Sequence, residues 1–293
     1  MEYISTRGSA PALGFSDALL AGLARDGGLY VPREWPKMSK KEIRALRGKS
    51  YQEVAFEVLY RFTGGEIPAD DFRAMIDDAY ATFRHPAVVP LVQTGANSFV
   101  LELFHGTTLA FKDVAMQLLG RLMDYVLTKR DQRATIVGAT SGDTGGAAID
   151  AFGGRDRTDI FILFPHGKVS PVQQRQMTSS KEANVHALAI EGNFDDCQTI
   201  VKEMFNHSAF RDKVQLSETP SNADLRGQAR AFGANRVFDH LHHQRLPFEH
   251  LVLNRLGWLV FAGDHGGITA FMALPYISHM QERCTLQTNI NKG

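Results

Sequence analysis

Between residues 134 and 205 two kinds of apolar segment alternate, and this limits the fold more than any other feature of the chain. Residues 134–138, 159–164 and 184–190 are short runs rich in β-branched and aromatic side chains; helical patterns follow from about Thr144, from about Ser170 and over residues 194–205. Strand-helix alternation with short connections predicts a parallel sheet covered on both faces. Ligands of such sheets bind at the carboxyl ends of the strands. Ala139-Thr140-Ser141-Gly142-Asp143-Thr144-Gly145-Gly146 lies at such an end.

Upstream the pattern is helical. Residues 1–36 are loop-rich around a short helical stretch at 16–23, with turn chemistry at Ser5-Thr6-Arg7-Gly8 and Asp26-Gly27-Gly28. Tyr51, Val54, Val58, Leu59 and Phe62 mark one face of a helix that stops at Gly64-Gly65. Phe72, Met75, Ile76, Tyr80 and Phe83 mark a second, limited by Pro86. Residues 88–92 and 99–103, separated by Gly95-Ala96-Asn97, have the form of a β-hairpin. Val114, Leu118, Leu122, Met123 and Val126 then keep helical spacing, which puts Lys112 at or just before a helix N-terminus. The positive end of that helix opposes protonation of the amine.

Two stretches could carry chemistry. Lys112 stands between Phe111 and the helix, after Gly106, Thr107 and Thr108, and a desolvated amine there can form a Schiff base with a carbonyl cofactor. Asp113 beside it equally has the character of a helix-capping carboxylate. Thr140 to Gly145 combine hydroxyls, glycines and backbone N–H groups at a helix start, as phosphate or carboxylate binding requires; the same pattern also fits an ordinary N-cap turn in which Ser141 or Asp143 satisfies orphan N–H groups.

The charge balance narrows the ligands. Lys plus Arg and Asp plus Glu each number 32, so no basic field points to nucleic acid or a membrane surface, and small ligands are favoured. The chain has room for roughly two domains. Cys197 and Cys284 are too few for a disulfide framework and lack the paired spacing of a zinc or redox site, so the chain reads as reduced and cytoplasmic, with no signal-peptide core near Glu2 and Arg7. His240, His242, His243 and His250 with Asp239 suggest a metal, but adjacent histidines diverge, and no metal is expected. Beyond Ser217 the alternation is lost; an apolar run at 256–262, a turn at 263–267 and a helix-like stretch at 268–276 are what remains.

These motifs together resemble the threonine synthases of the fold-type II pyridoxal phosphate (PLP) enzymes. Tyr3-Ile4-Ser5-Thr6-Arg7-Gly8 with Asp26-Gly27-Gly28-Leu29-Tyr30-Val31-Pro32 is similar to the N-terminal signature of that family. His105-Gly106 through Phe111-Lys112-Asp113 resembles its PLP-lysine motif, and Thr140-Ser141-Gly142-Asp143-Thr144-Gly145 its substrate loop. Val169-Ser170-Pro171-Val172-Gln173 with Gln176-Met177-Thr178, and Glu191-Gly192-Asn193-Phe194-Asp195-Asp196-Cys197-Gln198, resemble further blocks in the same order. The resemblance covers Met1 to about Ser217. The family's asparagine-rich segment and its glycine loop for the PLP phosphate have no counterpart in Glu218-Thr219-Pro220-Ser221-Asn222, and only Gly263 to Gly267 could stand for that loop. So abrupt a loss of similarity has the form that a reading-frame shift or a rearranged gene would leave.

The resemblance implies an α/β fold of type II, tryptophan synthase β-like, with parallel sheets flanked by helices after a helical N-terminal unit. Its expected organisation is a helical region at 1–85, a PLP-binding α/β region at 86–217 with a mobile subdomain at about 130–215, and a divergent tail at 218–293. The implied activity is that of a carbon-oxygen lyase acting on phosphates in threonine biosynthesis: O-phospho-L-homoserine and water give L-threonine and phosphate through a PLP Schiff base on Lys112. A phospho-lyase that releases 2-oxobutyrate from the same substrate and a non-catalytic chain are the alternatives. Lys112 and Phe111 are the implied cofactor residues. Thr140, Ser141, Gly142, Asp143, Thr144 and Gly145 are the implied substrate loop, and His105, Thr107 and Thr108 would line the cavity. For His105 a buried histidine bonded to backbone is the equal alternative.

Overall fold

The computed structural model describes residues 1–218 and three short strands, Leu251–Leu253, Leu259–Ala262 and Ile268–Ala270. The chain begins with β1 (Tyr3–Ser5) paired antiparallel to β2 (Tyr30–Pro32). Asp26 ties this corner together by accepting hydrogen bonds from the Ser5 hydroxyl and from the N–H groups of Ser9, Ala10 and Gly28, which hold its carboxyl well below the usual range. The glycine-rich turn of the sequence is thus an ordered knot. Helix α1 (Phe15–Ala21) follows Gly14, which has no side chain to cap it, and Glu66 takes that role from a distance by accepting the N–H groups of Phe15 and Ser16 at 2.7 and 2.9 Å.

Two capping boxes start the next helices. Ser39 and Glu42 open α2 (Lys40–Ala45), which follows the two-residue strand β3 (Lys37–Met38), and Ser50 and Glu53 open α3 (Tyr51–Leu59). Helix α3 tightens into a 3₁₀ turn at Tyr60–Phe62 and stops where Gly64 and Gly65 take positive φ, as the sequence predicts. Helix α4 (Ala69–Ala81) packs on it, and Tyr51, Val58, Phe72, Ile76 and Tyr80 form the centre of a first core. The hairpin pairs β4 (Leu91–Gly95) with β5 (Ser98–Leu101), so its first strand begins three residues later than residues 88–92 predict. Val88 has a positive φ and, with Val89, is buried in the first core, so packing rather than pairing claims these β-branched residues.

Helix α5 (Asp113–Arg130) begins directly after Lys112 and ends at Asp131 in the left-handed conformation. One stripe, Val114, Leu118 and Leu122, joins the first core; another, Met116 and Met123, joins the core of the sheet.

The sheet contains β6 (Ala134–Ala139), β7 (Thr158–Pro165), β8 (Val185–Ile190) and β9 (Leu216–Glu218), all parallel, in the order β8-β7-β6-β9. Alternate residues face opposite cores. Ile136, Ile160, Ile162 and Phe164 pack with α5 and with α6 (Asp143–Phe152), and Val137, Ala139 and Leu163 pack with Cys197 and Val201 of α8 (Phe194–Asn206). Helix α7 (Pro171–Thr178) follows β7, with Ser170 as its N-cap, and α9 (Ser208–Val214) leads into β9. Because β7 and β9 flank β6 on opposite sides, the winding reverses at β6. The crevice at its carboxyl end is where such sheets hold ligands.

In the tail, Leu251–Leu253, Leu259–Ala262 and Ile268–Ala270 form antiparallel strands β10 to β12, and β12 pairs with β3. This corrects the helix-like reading of residues 268–276 at its start: Ile268-Thr269-Ala270 is a β-branched stretch with a strand edge to join. The residues 263–267, the histidines at 240, 242, 243 and 250, Asp239 and Cys284 lie outside the described residues.

Candidate active site

Strand β6 ends at Ala139, and the chain turns through Thr140 to Gly142 into α6. Gly142 has φ 146°, a region that residues with a Cβ rarely adopt, and a Cβ there would run into the Gln173 side chain. At Gly145 a Cβ would lie 2.7 Å from Met177 Sδ and 2.8 Å from Ile162 Cγ2, so only glycine lets this first turn sit on the sheet.

The turn satisfies itself. Thr140 is 2% exposed, and its hydroxyl accepts the N–H groups of Gly142 and Gly145 at 3.0 and 2.9 Å, while Asp143 accepts that of Thr144 at 2.9 Å. Of the N–H groups that the sequence offers to an anion, those of Gly142, Thr144 and Gly145 are therefore directed at side chains of the same turn. Asp143 shares that work, as the N-cap reading has it, but the larger part belongs to Thr140 and none of these bonds to Ser141, which is exposed. A hydroxyl that accepts two bonds keeps its own proton to donate.

Lys112 is 5% exposed, and burial pushes its amine below the usual lysine range, opposed by attraction to Asp143. Asp143 opens α6, so the Lys112 amine feels the charge of the Thr140 turn. The Phe111 ring centroid lies 4.8 Å from Lys112 Nζ.

The stretch before Lys112 is tied down from three helices. Asp113, fully buried, accepts the Thr108 N–H at 2.8 Å and the Thr108 hydroxyl at 2.6 Å; burial raises its carboxyl to about 6 against the pull of these bonds. It is the first residue of α5, and its oxygens serve the loop rather than capping the helix. Asp150 of α6 accepts the Thr107 hydroxyl and Gln117 Nε2, both at 2.5 Å. Gln176 of α7 donates to the Thr108 carbonyl at 3.1 Å. Leu109, between these anchors, has φ 66°. The hydroxyls of Thr107 and Thr108 thus hold the loop in place, a use that the cavity-lining expectation did not include.

His105 matches neither earlier expectation fully. It is half-buried, its ring bonds Glu102 at 2.7 Å rather than backbone, and its carbonyl accepts the Arg84 N–H. Sequence reasoning missed Asp150 and Gln117, whose only signal was polar character on helices otherwise apolar toward the sheet, and it met Gln176 only as part of a family-like block, without this role. Open clefts of about 370 Å³ beside Arg130 and 410 Å³ beside Arg155 include no residue of the lysine loop or of the Thr140 turn. Among the described residues no cluster could hold a metal, and no helix is long and apolar enough to cross a membrane.

Comparison with known proteins fits this geometry. Residues 2–80 match the family model described as threonine synthase N terminus. The threonine synthase of Pseudomonas aeruginosa is 56% identical over 216 residues, 74% of this chain and 46% of the relative; that of Schizosaccharomyces pombe is 46% identical over 230 residues, 75% and 45% respectively. A solved structure of PLP-bound threonine synthase from Brucella melitensis is 74% identical with a TM-score of 0.72, covering 75% of this chain and 48% of that one. Yeast threonine synthase is 40% identical with a TM-score of 0.69, covering 75% and 46%. The chain spans about half the length of the curated relatives it matches. Over its N-terminal three quarters the chain therefore has the sequence and the α/β fold of the threonine synthases, the fold-type II enzymes that its motifs resemble.

Proposed function

We propose that this chain carries the catalytic lysine and the substrate loop of a threonine synthase, and that the reaction served is conversion of O-phospho-L-homoserine and water to L-threonine and phosphate. The observation that carries this reading is the buried Lys112 at the head of α5, within electrostatic reach of the turn that ends β6. A sparsely exposed amine with a lowered pKa fits the carbonyl end of PLP, with the Phe111 ring beside it. When bound, PLP supplies an electron sink for carbanion chemistry next to the amino group of a substrate.

The residues of the chain do the rest. Lys112 would be the base and acid that moves protons at the α and β carbons, a role helped by burial, which holds its amine below the usual lysine range. Thr140, Ser141 and Thr144 supply hydroxyls for the substrate carboxylate, and Gly142 and Gly145 let backbone come close to it. Asp143 adds a charge that holds the amine near the turn. His105, Thr107 and Thr108 shape the loop around Lys112. The two cysteines support a cytoplasmic setting.

The test is a reaction of the purified 293-residue chain with PLP and O-phospho-L-homoserine, followed for phosphate and for threonine. Threonine formation that disappears in Lys112→Ala is the expected result. Release of phosphate with 2-oxobutyrate in place of threonine, or no turnover, overturns the assignment.

A further inference from the structure

Asp113 has an ordinary explanation, a carboxylate welcomed by the positive end of α5. Its geometry is not ordinary. Both oxygens turn away from the helix to Thr108, one to its N–H and one to its hydroxyl, and the Asp113 N–H returns to the Ala110 carbonyl at 3.0 Å. Chain and hydrogen bonds together close a ring from Thr108 to Asp113, in which Lys112 is the last residue before closure. The ring is anchored outside by Gln176 on the Thr108 carbonyl and by Asp150 on Thr107. It also holds Leu109 at φ 66°, a left-handed conformation that residues with a Cβ rarely adopt. Leu109 is 52% exposed, so no packing of its side chain accounts for the strain.

A fully buried carboxylate is expensive to keep unless it is hydrogen-bonded, and Asp113 accepts such bonds from Thr108. The backbone of Lys112 stands between this ring and the first turn of α5, where its carbonyl accepts the N–H groups of Ala115 and Met116. We propose that Asp113 is a positioning residue for Lys112, acting through Thr108 to fix the direction in which the amine is presented. This rests on the reading of Lys112 as the cofactor lysine. The group that Lys112 meets is rigid and planar, and misplacement by about 1 Å costs a reaction of this kind up to about a hundredfold.

The test uses the full chain and two chemical probes of Lys112. The first is the rate at which added PLP becomes fixed by borohydride on the peptide containing Lys112. The second is acetylation of the same residue by acetic anhydride, which demands access but no orientation. In Asp113→Asn and Thr108→Val the PLP adduct is expected to form tenfold or more slowly, on the order of a one-bond loss of orientation. Acetylation is expected to rise at least about threefold as the ring loosens. Thr108→Ser, which keeps the hydroxyl, should behave as wild type. Val58→Ala, a cavity in the first core away from the loop, supplies a destabilised control. Adduct and acetylation rates that match wild type in both disabling variants, or that change only as they do in Val58→Ala, overturn the proposal. Wild-type protein that forms no adduct at Lys112 sinks the cofactor reading instead, and the acetylation rates still decide the role of Asp113.

Discussion

The two halves of the site are held in opposite ways. The lysine loop is fastened from outside, by Asp113 of α5, Asp150 of α6 and Gln176 of α7, and its reactive group is buried. The Thr140 turn is fastened by itself, with one hydroxyl collecting two N–H groups, and Ser141 stands in solvent. A group that must be aimed needs distant supports. A turn proposed to receive a ligand already holds its N–H groups in internal bonds, which such a ligand would have to replace.

The largest effect expected from breaking this contrast is at the amine. Lys112→Ala should lower threonine formation by more than about a thousandfold while the thermal transition moves little, since it removes the proton-transfer group and a buried charge together. Steady-state kinetics and calorimetry check both halves of that statement. Gly145→Val comes next, because its side chain would press on Met177 and Ile162. It should cost about 1–3 kcal/mol or more in urea unfolding. Thr140→Val leaves two buried N–H groups without their acceptor and should cost about 1–3 kcal/mol, with the substrate KM raised as well.

Asp113 sharpens the comparison through pH. Its folded pKa of about 6 lies above the ordinary 3.8, so the folded state holds the proton more tightly than the unfolded state. Stability should therefore be lost as pH rises from about 4 to about 6, by on the order of 1–2 kcal/mol, and Asp113→Asn should remove that slope. Denaturation of both proteins at several pH values decides it; a wild-type contribution that grows with pH would contradict the assignment. Ser141→Ala is the smallest case, expected to change stability by less than about 0.5 kcal/mol because the side chain is exposed and bonds nothing in the turn.

Much of this was legible in the sequence because its signals are local. The stripes of α3, α4 and α5 and the apolar runs of β6, β7 and β8 stand at helical or strand period, and Gly64-Gly65 stops α3 as glycines do. Of the short elements, α1 was read at 16–23, but α2, α9 and β9, of three to seven residues, were too short for a period to emerge. The partners of the lysine loop were hidden for another reason. Asp150 lies 43 residues from Thr107 and Gln176 lies 68 from Thr108, and only the winding of the sheet brings them together. Asp113 was visible as a residue, but its obligation to Thr108 depends on the left-handed step at Leu109, which no residue type announces. The same limit explains Thr140: its hydroxyl was counted as a ligand for substrate, and its debt to Gly142 and Gly145 appears only once the turn is built.

Helix α5 is a party wall. Val114, Leu118 and Leu122 belong to the room on one side, Met116 and Met123 to the room on the other, and Lys112 sits at the end of the wall. Neither room can be finished while the other stands open, since each lacks a side until the helix is placed against both. The direction in which the amine is presented therefore depends on the packing of both rooms at once, and a cavity opened in either one reaches it through the wall.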